Sequence, residues 1–288
     1  MFTISKYFWQ LIRFNQPTGT FLLLLPCLSA IALAWKIKTD FAVLELIHYL
    51  VLISAGAFIM RSAGCIINDL CDYKIDQQVA RTKNRPLAAK KITRFQALKY
   101  LAILLILALI ILWQFNFKTI VAGFVALVLI IIYPFLKRIT YFPQLFLGIT
   151  FNYGIIIVSL AMLNYLDASM IFLYLAFMVW TFFYDTIYAF QDLEDDMKIG
   201  VKSSAIFFAN NNAKKNLLKM IIITFLLLVI VGIIEEFTYY YYLILLINAI
   251  LIAYKLVKCN LMSPQNCLSF FKNNVIFGGV FLIAIIFG

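Results

Sequence analysis

The chain has 288 residues, of which 65% are hydrophobic and 13% are charged, and its formal net charge is +11. Soluble domains are roughly 45–50% apolar and about 25% charged, so this composition excludes a soluble globular protein and indicates a polytopic membrane protein. In a membrane protein, Lys and Arg are enriched in the cytoplasmic loops, so the positive net charge is explained without nucleic-acid binding. The five cysteines show no CxxC spacing typical of a metal site.

Apolar runs long enough to cross a membrane recur along the whole chain. Spanning the hydrocarbon layer as a helix takes about 20 mostly apolar residues. Nine runs meet this length, near residues 17–36, 43–66, 96–114, 119–136, 143–163, 168–189, 216–234, 238–257 and 270–287. The sequence therefore predicts an all-α polytopic membrane protein with nine transmembrane helices, forming a single domain over residues 1–288. The connections are short except after the second and sixth runs.

The distribution of Lys and Arg predicts the orientation. With the N-terminus inside, Lys36, Lys38 and Lys118 fall on the outer side, which leaves 21 of the 24 basic residues with the inner segments. Such asymmetry predicts a cytoplasmic N-terminus and an outer C-terminus. Both long connections then lie on the cytoplasmic side.

The first long connection follows an acidic motif within residues 61–86, RSAGCIINDLCDYKIDQQVARTKNRP. In a helix, Asn68, Asp72 and Asp76 lie at i, i+4 and i+8 and form one polar stripe. Oxygen ligands of this kind suit Mg²⁺, which binds through one or two carboxylates together with substrate phosphates. The alternative is a solvated helix end at the membrane surface.

A second acidic motif lies within residues 184–204, YDTIYAFQDLEDDMKIGVKSS, where Asp192 and Asp196 are again at i, i+4. This motif also contains Asp185, Glu194 and Asp195. Its five acids and the three acids of the first motif make up eight of the thirteen Asp and Glu residues in the chain. The two motifs, at 68–76 and 192–196, follow helices that are four apart. We therefore predict an internal repeat of a four-helix unit, which would place the motifs opposite each other.

Two facing carboxylate clusters, surrounded by Lys and Arg, suggest a diphosphate bound through Mg²⁺. The apolar helices beneath them would hold a hydrophobic tail. A polyprenyl diphosphate has both parts, and ionising its C–O bond gives an allylic cation that must be kept from water.

At these motifs the chain resembles the intramembrane aromatic prenyltransferases of the UbiA superfamily. NDxxDxxxD, flanked by RSAGC and VARTKNRP, is similar to their first signature, and DTIYAFQDLEDDMKIGVKSSA to their second. The resemblance extends through RFNQPTGTFLLLLPCLSAIALA and YPFLKRITYFPQ. It is greatest toward members that prenylate 4-hydroxybenzoate ortho to its hydroxyl in ubiquinone synthesis. It implies helices around a central cavity in a bacterial or mitochondrial inner membrane, with polyprenyl diphosphate, 4-hydroxybenzoate, Mg²⁺ and membrane lipid as partners.

The resemblance also implies roles for individual residues. The implied metal ligands are Asn68, Asp72, Asp76, Asp192 and Asp196. The implied catalytic residues are Asp72, Asp192 and Arg138, and the implied substrate-binding residues are Asn68, Asp76, Arg61, Lys137, Arg81, Arg85 and Lys202. For the benzoate carboxylate an arginine is expected, Arg138 ahead of Arg61. The family's opening motif usually reads RxDKPxG, whereas this chain has Asn15 and Gln16 in place of the Asp-Lys pair.

Three alternatives remain open. A sister enzyme of the superfamily would use another acceptor, such as a haem, a naphthoate, a chlorin alcohol or a glycerol phosphate. A cation transporter would use the acids to coordinate the transported ion, although transporter sites generally lie near the bilayer midplane. Lys137 and Arg138 would, in the simplest interpretation, anchor a helix end at the membrane interface.

Overall fold

The computed structural model describes residues 6–209 and 211–288. Within these ranges, nine helical segments are long and apolar enough to cross a membrane. The helices are α1 Lys6–Leu11, α2 Thr18–Ile37, α3 Val43–Asp76, α4 Arg94–Leu112, α5 Phe117–Leu136, α6 Pro143–Phe151, α7 Gly154–Val158, α8 Ala168–Ala189, α9 Leu193–Ile199, α10 Ser204–Ala209, α11 Ala213–Ile234, α12 Tyr239–Lys258 and α13 Pro264–Phe287. The predicted all-α polytopic fold is confirmed.

Helix α3 is longer than the prediction that ended it at residue 66. Its 34 residues extend about 50 Å, at 1.5 Å per residue, whereas the hydrocarbon core is about 30 Å thick. The C-terminal turns therefore project beyond the apolar layer, and they carry the first acidic motif. The motif is helical, as the predicted stripe of Asn68, Asp72 and Asp76 requires: no Pro or Gly occurs between Gly64 and Pro86, and its acids are neutralised by Lys and Arg from elsewhere in the chain.

The sixth span likewise continues past its predicted end at residue 189. A single 3₁₀ turn, Phe190–Asp192, joins α8 to α9, so the whole segment runs over Ala168–Ile199. The second acidic motif lies on this turn and on α9. As in α3, the motif is helical rather than part of the connection.

The fifth span, Pro143–Leu163, is interrupted. α6 ends at Phe151 and α7 begins at Gly154, followed by a π-helical turn over Ser159–Leu163. The buried Asn152 at the break donates hydrogen bonds to the carbonyl of Phe177, at 3.1 Å, and to the hydroxyl of Thr181, at 2.8 Å. The side chain of Asn152 thus supplies hydrogen bonds at the break. Backbone polar groups inside a membrane need such partners within the protein, because no water is available there.

The core is built around α8, which packs against α2, α6, α11 and α13. Trp180 lies at its centre, with ring centroids 5.0 Å from Tyr184 and 5.3 Å from Phe281 in edge-to-face contacts. At Gly148 of α6 a Cβ atom would come within 2.4 Å of the Met178 carbonyl oxygen, so glycine permits the close approach of α6 to α8. This packing fixes the position of the helix that carries the second motif.

Candidate active site

A cavity of about 1110 Å³ lies where the C-terminal ends of α3 and α8 meet. Both charged and apolar side chains line it, and the apolar ones include Leu22, Met60, Ile130, Leu147 and Phe151. Eight basic and five acidic side chains of the described residues line it: Arg13, Arg61, Arg81, Arg85, Lys91, Lys137, Lys202 and Lys272, with Asp69, Asp76, Asp185, Asp192 and Asp196. The excess of positive charge suits an anion with an apolar tail.

The first motif enters this cavity as the predicted helical stripe. Asn68 and Asp76 line the cavity, and the Nη1 atom of Arg85 lies 2.8 and 3.0 Å from the two carboxylate oxygens of Asp76. Asp69, only 2% exposed, accepts a 2.7 Å hydrogen bond from Arg13. Arginine at both carboxylates offsets the cost of burying these acids.

Asp72, the middle acid of the stripe, lies behind the cavity wall and is fully buried. One of its oxygens accepts a hydrogen bond from the ammonium group of Lys137, at the end of α5. The other oxygen has no hydrogen-bond partner among the described residues, and the Nη2 atom of Arg138 is 3.8 Å from it. Buried polar oxygens are nearly always hydrogen-bonded in proteins, so this one is unusual.

The second motif faces the first through the connection after α3, residues 77–93. Arg81 donates from Nε and Nη2 to the carboxylate of Asp192, at 2.5–3.1 Å, and from Nη1 to the hydroxyl of Tyr188, at 3.0 Å. The backbone N–H of Ala80 donates to Asp195 at 2.9 Å. Burial is the largest single effect and would lower the pKa of Arg81, but its hydrogen bond with Asp192 and the negative charges of Tyr188 and Asp192 together outweigh burial and raise that pKa above the ordinary value for arginine. The pair therefore stays charged.

Arg61 lies deeper, on the same face of α3. Its Nη1 atom is 2.9 Å from the sulfur of Cys65, and its guanidinium lies over the ring of Phe151, with 5.7 Å to the centroid. A Cβ atom at Gly19 would lie 2.5 Å from the Nη2 atom of Arg61, so glycine at this position leaves room for the guanidinium. Arg61 forms no ion pair with any residue in the described ranges, unlike Arg13, Arg81 and Arg85.

Comparison with known proteins identifies the group to which this architecture belongs. A model described as the UbiA prenyltransferase family matches residues 23–284. The chain belongs to the UbiA prenyltransferase family. It is therefore a prenyltransferase, and the resemblance inferred from the two acidic motifs is confirmed.

Several relatives of this UbiA chain are between 41% and 48% identical to it over the matched region. The chain is 48% identical over 199 residues to a 4-hydroxybenzoate octaprenyltransferase of Blochmanniella pennsylvanica, covering 69% of this chain and 67% of the relative. It is 44% identical over 201 residues to the protein of the same name from Tolumonas auensis, covering 70% and 68%. For the mitochondrial 4-hydroxybenzoate polyprenyltransferase of Caenorhabditis elegans the identity is 47% over 202 residues, and 56% of that protein is covered.

Solved structures of UbiA homologues share the fold. A homologue from Aeropyrum pernix in its apo form gives a TM-score of 0.70 at 20% identity, covering 92% of this chain and 94% of that one. A homologue from Archaeoglobus fulgidus bound to GPP and Mg²⁺ gives 0.67 at 19% identity, covering 98% and 99%. The arrangement of helices is therefore that of the UbiA family.

The structure brings together most of the site residues predicted from sequence. Those that line the cavity are Asn68, Asp76, Arg61, Lys137, Arg81, Arg85, Lys202, Asp192 and Asp196. Asp72 and Arg138 do not line it: Asp72 is behind Lys137, and Arg138 is half-exposed and donates a 2.9 Å hydrogen bond to the Cys71 carbonyl. Sequence reasoning assigned no role to Tyr133, Lys91 or Lys272, which line it as well.

The carboxylates of this UbiA chain fit a divalent metal by their chemistry. No group of three or more His, Cys, Asp or Glu side chains converges tightly enough to hold a metal in the parts of the chain that are described. Mg²⁺ needs only one or two protein carboxylates when substrate phosphates complete its ligands. Asp196 lines the cavity and forms no ion pair with the other described residues, so its carboxylate can provide such oxygens. Asp72 also has an oxygen without a hydrogen-bond partner, but this oxygen lies behind the cavity wall.

Proposed function

We propose that this chain transfers a polyprenyl group from polyprenyl diphosphate to the ring of 4-hydroxybenzoate, ortho to the hydroxyl, in the synthesis of ubiquinone. The reaction is an electrophilic aromatic substitution assisted by Mg²⁺. Bacterial relatives named 4-hydroxybenzoate octaprenyltransferase, 44% and 48% identical to this chain, support the assignment. A UbiA homologue bound to GPP and Mg²⁺ supports the choice of donor and metal.

The observation that carries the proposal is the unpaired Arg61 deep in the cavity. A benzoate carboxylate that leaves water needs a cationic partner, since an unpaired buried charge is costly. The planar guanidinium of arginine can hold a carboxylate through two parallel hydrogen bonds. Because Arg61 lines the cavity and Arg138 does not, the geometry favours Arg61 for this role.

The diphosphate occupies the outer part of the cavity, between the two acidic motifs. Asn68, Asp72, Asp76, Asp192 and Asp196 would hold Mg²⁺, which, when bound, draws charge from the diphosphate leaving group. Arg81, Arg85, Lys137 and Lys202 neutralise the remaining charge of the phosphate oxygens. Arg81 and Arg85 already contact Asp192 and Asp76, so these arginines stand at the position where phosphate meets the carboxylates.

The assignment is tested with purified protein in detergent micelles. The assay supplies Mg²⁺, a radiolabelled polyprenyl diphosphate and separate acceptors: 4-hydroxybenzoate, a dihydroxynaphthoate, glycerol phosphate and haem. We expect radiolabel on 4-hydroxybenzoate alone. Labelling of another acceptor in its place would assign the chain to a sister activity of the superfamily.

Replacing Arg61 with lysine is expected to raise the KM for 4-hydroxybenzoate at least tenfold, because lysine keeps the charge but loses the second hydrogen bond, and tenfold corresponds to about 1.4 kcal/mol. The KM for polyprenyl diphosphate should change much less. Arg138→Lys is the matched control, and we expect it to leave both KM values within a few-fold. The reverse pattern, with Arg138→Lys acting on the acceptor, would restore Arg138 as the carboxylate ligand.

We further propose that the N-terminus and the cavity mouth face the cytoplasm, in an inner membrane. Cysteine introduced at the exposed Lys83 should react with an impermeant maleimide from the cytoplasmic side only, and cysteine at the exposed Glu236 from the opposite side only. The unsubstituted chain gives the background, since its five cysteines are buried or half-buried. Labelling of Lys83→Cys from the outside would reverse the orientation.

A further inference from the structure

The polar residues of the cavity lie in two layers along α3 and α8. On α3, Arg61 precedes Asn68 by seven residues, and Asp185 of α8 precedes Asp192, on the 3₁₀ turn that follows, by the same number. Seven residues correspond to two helical turns and about 10 Å along the axis. Both helices run toward the same cavity mouth, where the two motifs are joined by Arg81 and Asp192. Arg61 and Asp185 therefore form an inner layer, deeper than the acidic motifs.

Asp185 differs from Asp76 and Asp192 of the outer layer in having no partner among the described residues. It lines the cavity and is half-buried. It forms no hydrogen bond or ion pair within the residues that the structure describes, whereas Asp76 and Asp192 are both held by arginine. The positive groups whose charges act on Asp185 are Arg61, Arg81 and Lys137. Tyr133 of α5 also lines the cavity.

We infer that Asp185 is the base that removes the ring proton of the aromatic acceptor. The inference rests on the proposed function, because it places the acceptor carboxylate on Arg61. In the reaction, the bond between the prenyl carbon and the diphosphate oxygen breaks, and the allylic carbon bonds to the ring carbon ortho to the hydroxyl. The proton on that carbon passes to a carboxylate oxygen of Asp185, its C–H electron pair restores the aromatic ring, and diphosphate is the leaving group.

The position of the acceptor ring explains why an acid of the outer layer does not act as the base. An acceptor held by its carboxylate on Arg61 has its ring in the inner layer and its reacting carbon facing the donor. Asp185 lies at this depth, while Asp192 lies two turns away, at the level of the diphosphate. A base must come within hydrogen-bond reach of the proton it accepts, and Asp76 and Asp192 are in addition occupied by arginine.

The test is the Asp185→Asn variant assayed with ordinary and ring-deuterated 4-hydroxybenzoate. We expect kcat to fall about 10²–10⁴-fold, the usual contribution of a positioned base. Loss of the ring proton should then become rate-limiting, so a primary deuterium isotope effect should appear on kcat that the wild type lacks. The KM for polyprenyl diphosphate and the response to Mg²⁺ concentration should be retained. Asp185→Glu, which keeps a carboxylate, should recover much of the rate and lose the isotope effect.

Glu194→Gln is the matched control, because it removes an exposed negative charge from the same segment outside the cavity lining. It should behave as the wild type. The inference is overturned if Asp185→Asn keeps kcat within a few-fold, or if kcat falls without an isotope effect, as a purely structural role would produce. Failure of the proposed function is seen separately, as a wild-type protein that does not prenylate 4-hydroxybenzoate. The isotope test is then run on the acceptor that the panel identifies, and a non-aromatic acceptor also overturns the role of Asp185.

Discussion

Replacing Asp192 with asparagine is expected to lower the rate of prenyl transfer about 10²–10³-fold, the scale of removing one preorganised electrostatic contact. Asparagine keeps the shape of the side chain but loses the negative charge that would hold Mg²⁺ against the diphosphate. It also frees Arg81, whose guanidinium contacts both carboxylate oxygens of Asp192. The measurement is kcat with saturating polyprenyl diphosphate, together with the Mg²⁺ concentration that gives half-maximal rate, which should rise.

Chelation provides the control for this prediction. EDTA should abolish turnover by the wild type, and added Mg²⁺ should restore it, whereas Glu194→Gln should leave both the rate and the Mg²⁺ response unchanged. An Asp192→Asn enzyme with a normal rate, or a wild type that is active in EDTA, would remove the metal role from the second motif.

The transmembrane helices could be predicted from sequence because the signal is additive over many residues. Twenty apolar residues in a row exclude alternatives, and all nine predicted runs lie on helices of the described structure. The ends were less accurate, because hydropathy marks where the apolar layer stops and not where the helix stops. α3 continues to Asp76 through residues that are polar yet fully helical.

The residues that share one helix face in the site could be predicted from sequence, because helical periodicity alone decides which residues lie on the same face. The spacing of Asn68, Asp72 and Asp76 predicts one stripe, although the buried position of Asp72 behind Lys137 depends on packing between helices. Asp185 was also accessible to this reasoning, since its spacing of seven from Asp192 places both on one face of a helix. The DxxxD pattern of the second motif starts only at Asp192, so that pattern alone does not single out Asp185.

Contacts between distant segments could not be predicted from the chain alone. The pairing of Arg81 with Asp192 joins residues 111 apart, and nothing in either segment specifies the other. The sequence-based prediction that Arg138, ahead of Arg61, binds the benzoate carboxylate was limited in the same way. Lys137 and Arg138 are adjacent at the end of α5, and only the rotation of that helix, set by tertiary packing, decides that Lys137 lines the cavity while Arg138 does not.

Family membership also bears on the two alternative functions that the sequence left open, a cation transporter and a sister prenyltransferase with another acceptor. A cation transporter loses its support, since the UbiA prenyltransferase match covers residues 23–284. The basic side chains in the cavity, several of them paired with the acids, are typical of a phosphate site and not of a cation pathway. A sister enzyme with another acceptor is still tested by the acceptor panel.

Replacing Lys137 with methionine is expected to lower the free energy of unfolding by about 3–5 kcal/mol, the usual cost of removing one partner of a buried ion pair. Asp72 is fully buried, and the Lys137 ammonium is its hydrogen-bond partner. Methionine fills a similar volume and leaves the carboxylate without its cation. The measurement is denaturant unfolding in detergent micelles. Arg138→Met is the control: its side chain is 48% exposed and 3.8 Å from Asp72, so its loss should cost at most about 1 kcal/mol.

The double variant Asp72→Asn/Lys137→Met separates the structural role of the pair from its chemical role. With both charges removed, no buried charge is left unpaired, and most of the lost unfolding free energy should return. Prenyl transfer should stay at the low level of Asp72→Asn, because an amide cannot replace the carboxylate oxygen proposed to hold Mg²⁺. Recovery of activity together with stability would show that Asp72 serves only to pair with Lys137. Loss of stability in the double variant equal to the sum of the two single losses would show that the two side chains do not act as a pair.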